Sequence, residues 1–457
     1  MAILAHIEGS IILDVFGNKK TIECDTYSIS NNILMYTKGD KLVFYDLLED
    51  KEGKTHHIFS KPSKLIQSTN GKIVGVLNED YALLVFDQSS EMLMESEVSN
   101  FDLSNNLLTY VSNDKIVIRK FGSSSPFHRA SNIYSKFYTF DDFVILATRK
   151  SIKDNNYKIF KIDEAGSVEI GCFDILEEFA CRINKENTYI LLRLATSYVK
   201  NSYFAHTELY LYDIKETKLE KIPKISNISD FKFIKDGFVI IFGSQPSNVC
   251  VYDYQMNRIN RFPKGLRNQI YYNPHNNIVA LAGFEQLSGD IEVYNAEDMQ
   301  KYAELVELGA NDIKWETDGA YFYVSTTKYL KEDNKITMFD YHGRRIKEEK
   351  YEALISSTVY GVEKDFISLP KPEASTKPRK QIYVPPHLAK NSNRVIKENK
   401  PPQKKAPQET LESLKETLKE IERLRQKLQS GEMLSTKEMN LLLKEDSIKN
   451  KIDKFVQ

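Results

Sequence analysis

Residues 283–295 read GFEQLSGDIEVYN. Two glycines bracket a polar turn, and the strand that follows alternates apolar and polar side chains before closing on an aromatic and a short polar residue. Alternation of period two marks a half-buried strand. The closing pair is a usable tag, because it recurs at LVFYD (42–46), LLVFD (83–87), LYLYD (209–213), VCVYD (249–253) and ITMFD (336–340). Two degenerate copies, KIVIRKF (115–121) and YKIFKID (157–163), fill the middle of the chain. The eight copies recur on average every 42 residues. A period of roughly 40–45 residues is that of a propeller blade of four strands.

Ahead of each tagged strand lies a short apolar run, as in NNILMYT (31–37), FVIIF (238–242) and NIVALAG (277–283). These runs suit inner strands packed between neighbouring blades. Separate β-sandwich domains would also alternate strand and turn, but not with one tag at a near-constant period. The fold class expected is therefore all-β, a β-propeller of most likely nine blades over residues 1–369. The ninth would combine an N-terminal strand (10–16) with late strands (355–369), so that the ring has no open edge.

After Leu369 the composition changes. Residues 370–408 hold eight of the fourteen prolines, and between Lys371 and Lys405 ten Lys or Arg face two Glu. The total formal charge is −1, so this local excess of eight leaves the first 370 residues at about −9. With almost no large aliphatic residues, such a segment cannot offset its ordering entropy and is expected to be disordered. It carries one apolar island, YVPPHL (383–388). Flexible cations neutralise phosphates, which makes Lys377, Arg379, Lys380, Lys390, Arg394, Lys404 and Lys405 candidate RNA or ribosome contacts. Tyr383 and His387 are candidates to stack on unpaired bases. A solvated linker is the alternative. Residues 409–457 are expected to form a two-helix region. Leu414, Leu418, Ile421, Leu424 and Leu428 fall three and four apart, one apolar stripe that could meet a partner helix.

Catalytic signatures are missing. There is no phosphate-binding GxxxxGK[ST], no GxGxxG, no HExxH and no GxSxG. His56 and His57 stand without metal-ligand spacing around them and read as a loop. Asp46, Asp87, Asp213, Asp253 and Asp340 occupy equivalent blade positions, so they read as turn-tying residues rather than a carboxylate cluster. The four cysteines show no CxxC spacing. No apolar run approaches the ~18 residues of a membrane span, and no signal peptide is recognisable. The expectation is a cytoplasmic protein that is not an enzyme and uses no cofactor, metal or small-molecule substrate.

Together, the propeller, the basic segment with YVPPHL and the closing stretch IERLRQKLQSGEMLSTKEMNLLLKE (421–445) resemble the eukaryotic translation initiation factor 2A family, a WD-repeat-type propeller group. Gly283, Phe284, Leu287, Gly289, Glu292 and Val293 match its characteristic blade, although Tyr294 and Asn295 stand where that family usually has tryptophan and aspartate. The resemblance implies nine blades. It also implies a factor that delivers initiator methionyl-tRNA to the small ribosomal subunit without GTP, on selected mRNAs and alongside other initiation factors. The rival readings are a propeller scaffold with no direct tRNA role, similar to subunit b of initiation factor 3, and a propeller hydrolase, for which no nucleophile constellation is visible.

Overall fold

The computed structural model describes residues 3–370, apart from 15, 131–132, 152, 154–155, 175, 197–205 and 328–332, together with residues 421–423. Two compact units divide the chain, Met1–Ser375 and Thr376–Gln457. The first is a ring of nine four-stranded antiparallel sheets, the expected nine-bladed propeller. Of the second, residues 421–423 are helical and Ile421 is buried. The expected linker, the remaining helical stripe and the basic contact residues lie outside the described residues.

Eight of the blades run inner, second, third and outer strand in chain order. Blade 8 is typical, with Gln269–Tyr272, Ile278–Gly283, Asp290–Asn295 and Lys301–Val306. The tagged strands are therefore third strands rather than closing ones, and the apolar runs before them, including Gly237–Phe242, are second strands rather than inner ones. The physical reason is burial. Second and third strands lie between neighbouring blades, whereas an outer strand such as Lys51–His57 is exposed at nearly every residue. That strand also holds His56 and His57, so the pair is not in a loop. His56 is wedged between Phe44 and Phe86, with ring centroids 5.6 and 5.0 Å away. His57 turns to Asp40 at 3.2 Å.

The core is divided rather than central. Nine hydrophobic clusters occupy the nine blade interfaces, such as Val239, Ile241, Val249 and Val251 of blade 7 against Ile270, Val279, Leu281 and Tyr294 of blade 8. Closure uses three N-terminal strands, Ile3–Ile7, Ser10–Leu13 and Lys20–Glu23, with one late strand, Leu354–Val359, pairing Ala5 with Ser357. Only one late strand enters the blade. The residues after it run as a strap, with Phe366 against His275 and Tyr341 and with the Leu369 N–H donating to Tyr341 Oη at 2.8 Å.

The tagged aspartates tie turns as expected. Asp46 Oδ1 accepts from the N–H groups of Leu48 and Glu49, Asp87 from Ser89 and Ser90, and Asp213 from Lys215 and Glu216. Asn295 does the same for Glu297 and Asp298. This side-chain turn explains the short polar residue at each tag. The four cysteines are free.

Candidate functional site

The inner strands of blades 6–9 are Glu178–Ile183, Ile228–Ile234, Gln269–Tyr272 and Asp312–Trp315. Their residues in the blade cores are Phe179, Ile228, Phe231, Ile270, Ile313 and Trp315. Successive strand residues point to opposite sides. Between and beside these buried positions the strands carry Glu178, Asp230, Lys232, Gln269, Tyr271, Asp312 and Lys314.

A polar cavity of about 500 Å3 opens there, walled by Arg182, Arg193, Asp230, Lys232, Asn268, Tyr271 and Glu285 among others. Its charges are mostly engaged. Asp230 Oδ2 accepts from the Ile270 N–H at 2.9 Å and its Oδ1 receives Arg182 Nη2 at 3.4 Å. Lys232 donates Nζ to the Ile270 carbonyl and sits 4.7 Å over the Tyr271 ring. Burial lowers the Lys232 pKa, partly offset by Asp230. Tyr271 donates to Gln269, and burial raises its pKa, so it is a neutral donor. Arg193 pairs with Glu178. The Arg182 guanidinium, half exposed, keeps donors free for a ligand. The arrangement suits hydrogen-bonded recognition. It brings together no nucleophile with a base, and among the described residues no group of three His, Cys, Asp or Glu could hold a metal.

The next layer outward is ionic. Arg267, 1% exposed, pairs with Glu292 and lies 5.5 Å over the Tyr294 ring. A Cβ on Gly265 would meet its guanidinium and push it from this position. Glu292 also binds Lys301, whose pKa burial would lower but whose bonds to Glu292 and Glu304 raise. Glu292 and Tyr294 belong to the opening stretch. The polar positions of that strand thus hold a buried arginine. Residues 283–295 also contain the turn glycines: a Cβ on Gly283 would strike the Leu266 carbonyl, and Gly289 takes φ +85° against the Glu307 carbonyl.

None of the sequence-predicted RNA contacts falls among the described residues, and of the helix stripe only Ile421 does. Conversely, Arg182, Arg193, Asp230, Lys232 and Tyr271 escaped sequence reading. Arg182, Asp230, Lys232 and Tyr271 lie on inner strands too short and too polar to stand out, and Arg193 is the one charge inside the apolar second strand Tyr189–Thr196.

The chain is similar to known proteins. Residues 172–357, blades 6–9 and the closing strand, match the family model described as "Eukaryotic translation initiation factor eIF2A". The protein named eukaryotic translation initiation factor 2A in Drosophila melanogaster is 28% identical over 258 residues, covering 51% of this chain and 39% of that one. The Caenorhabditis elegans protein of the same name is 26% identical over 174 residues, 37% of this chain and 30% of that one. The chain thus matches about two fifths or less of these relatives' length. A solved structure titled "Crystal structure of the eukaryotic initiation factor" superposes with a TM-score of 0.66 at 15% identity, covering 78% of this chain and 98% of that one, which shows the shared fold. Over residues 172–357 the chain is similar to the eukaryotic translation initiation factor 2A family.

Proposed function

We propose that the chain is a translation initiation factor that acts by binding. It promotes GTP-independent delivery of initiator methionyl-tRNA to the small ribosomal subunit on selected mRNAs. The observation that carries this reading is the similarity to proteins named eukaryotic translation initiation factor 2A. The ring supplies rigid surface, and Lys377, Arg379, Lys380, Lys390, Arg394, Lys404 and Lys405 supply phosphate contacts from a separate unit. Tyr383 and His387 add stacking, and the stripe of Leu414, Leu418, Ile421, Leu424 and Leu428 adds a helical partner site.

Filter binding of charged initiator tRNA, with and without GTP, tests this. The intact chain should bind equally in both conditions. Changing the seven cations to Gln should weaken binding roughly tenfold or more and flatten its salt dependence. Equal, salt-insensitive retention by both proteins rejects the tRNA role and favours the scaffold reading.

A further inference from the structure

Beside the polar cavity, on the face where second strands end and third strands begin, blade 8 carries another opening of about 740 Å3. Its lining differs in kind: Leu287, Leu308 and Ala310, with Glu285 and Asn311. Leu308 is 73% exposed. A leucine left in water at the mouth of an apolar-lined opening is a candidate contact point rather than a scattered surface residue.

The loops that form this cleft are braced before anything binds. Gly289 N–H donates to the Gly283 carbonyl at 2.8 Å, and Glu307 N–H to the Gly289 carbonyl at 2.9 Å. Asn268 and Phe284 exchange two hydrogen bonds of 3.0 Å. A cleft held in this way loses little entropy on occupation. Glu307 does not face a ligand, because its carboxylate is buried on Lys335 and Arg345. That leaves Glu285 as the one ionisable side chain of the lining. Asn311 donates Nδ2 to Thr327 Oγ1 at 2.5 Å, while its buried Oδ1 has no donor among the described residues.

We infer that this cleft docks a peptide segment of a partner protein that presents apolar side chains next to Lys or Arg. The leucine and alanine walls take the apolar side chains. Glu285 pairs with the cation. A phosphate-bearing ligand is disfavoured here, since the only charge is negative. The inference is independent of the tRNA reading, because it concerns another surface and another ligand class.

The probe is a short labelled peptide of Leu and Lys with its leucines at helical spacing, titrated into the full chain by fluorescence anisotropy at physiological and high salt. Controls are a scrambled peptide and a Leu/Glu peptide. The intact chain should hold the amphipathic Leu/Lys peptide roughly tenfold more tightly than the scramble, and Leu308→Asp should remove that difference. Glu285→Lys should reverse the preference toward the Leu/Glu peptide. Both changes are at loop positions on the rim, and an unchanged thermal melt shows that each variant folds. Equal affinity of the intact chain and Leu308→Asp overturns the inference, as does equal affinity for the scramble. Self-association in sedimentation that Leu308→Asp abolishes assigns the cleft to a second copy instead. Tight RNA binding lost with Leu308→Asp also overturns it.

Discussion

Up to Ser247, every buried polar side chain among the described residues is neutral: Thr37, Ser68, Asn78, Ser104, Thr109, Thr148, Asn184 and Ser247. From Arg267 to Asp340 five are acidic or basic, namely Arg267, Glu307, Glu316, Asp318 and Asp340. Both regions build the same blade, yet they hold it differently. Earlier blades join through apolar clusters and single hydrogen bonds, such as Ser104 Oγ to the Phe140 carbonyl at 3.0 Å. Blades 8 and 9 add paired charge. A buried ion pair is weak evidence for extra stability, since desolvation consumes most of its attraction, but it strongly penalises any arrangement that leaves one partner alone. In a ring of nine similar sheets, such penalties distinguish the last blades from alternatives with shifted register. The contrast teaches that the repeat pattern supplies the fold, while charged residues individualise the part that closes it.

The largest effect should come from breaking one pair. Glu292→Ala leaves Arg267 buried without its carboxylate, and should cost about 3–5 kcal/mol in urea unfolding. Converting both partners, Arg267→Met with Glu292→Leu, should cost much less, because no charge is stranded. If the single and double variants are equally destabilised, the ion pair does not set this half apart.

A smaller loss is expected at Gly289. It combines φ +85° with a carbonyl where a Cβ would sit, so Gly289→Ala should cost about 2 kcal/mol or more. Gly122, at φ +83°, has open space around its Cβ position, and Gly122→Ala should cost less than Gly289→Ala. Equal melting temperatures for the two variants would show that the close approach in blade 8 carries no weight.

The same contrast explains how far the sequence could be read. Second and third strands are buried on both faces, so Ile278–Gly283 and Asp290–Asn295 announce themselves as apolar runs and a tag. Outer strands face water, and inner strands mix buried with exposed residues. Lys51–His57 and Glu178–Ile183 therefore carry no comparable signal. Eight blades were legible from the period, and the ninth from the two strand-like ends that could close the ring. The polar cavity was not, because its residues come from three inner strands, one second strand and two loops, brought together only by the packing of blades 6, 7 and 8. Arg267 was hidden for another reason: in PKGLRNQ (263–269) it resembles a solvated loop residue, and its burial depends on Glu292, which lies 25 positions later.

The smallest effect probes the neutral half through pH. His56 packs between the rings of Phe44 and Phe86, and among the described residues its buried Nε2 has no hydrogen-bond partner. Burial lowers its pKa below 6.5, with Lys54 acting in the same direction and Asp87 and Glu91 opposing. The unfolded chain then takes up this proton at a higher pH than the folded ring does. Stability is full above about pH 6.5 and falls as the pH drops from there toward the folded value. Urea midpoints measured near pH 7.5 and pH 5.5 should therefore fall further for the intact chain than for His56→Gln. Because His56 is only partly buried, the difference should be the least of the three effects. An identical pH response in both proteins would mean that the blade 2–3 interface accepts the charge without cost, and that the neutrality of the earlier blades is a matter of composition rather than of packing.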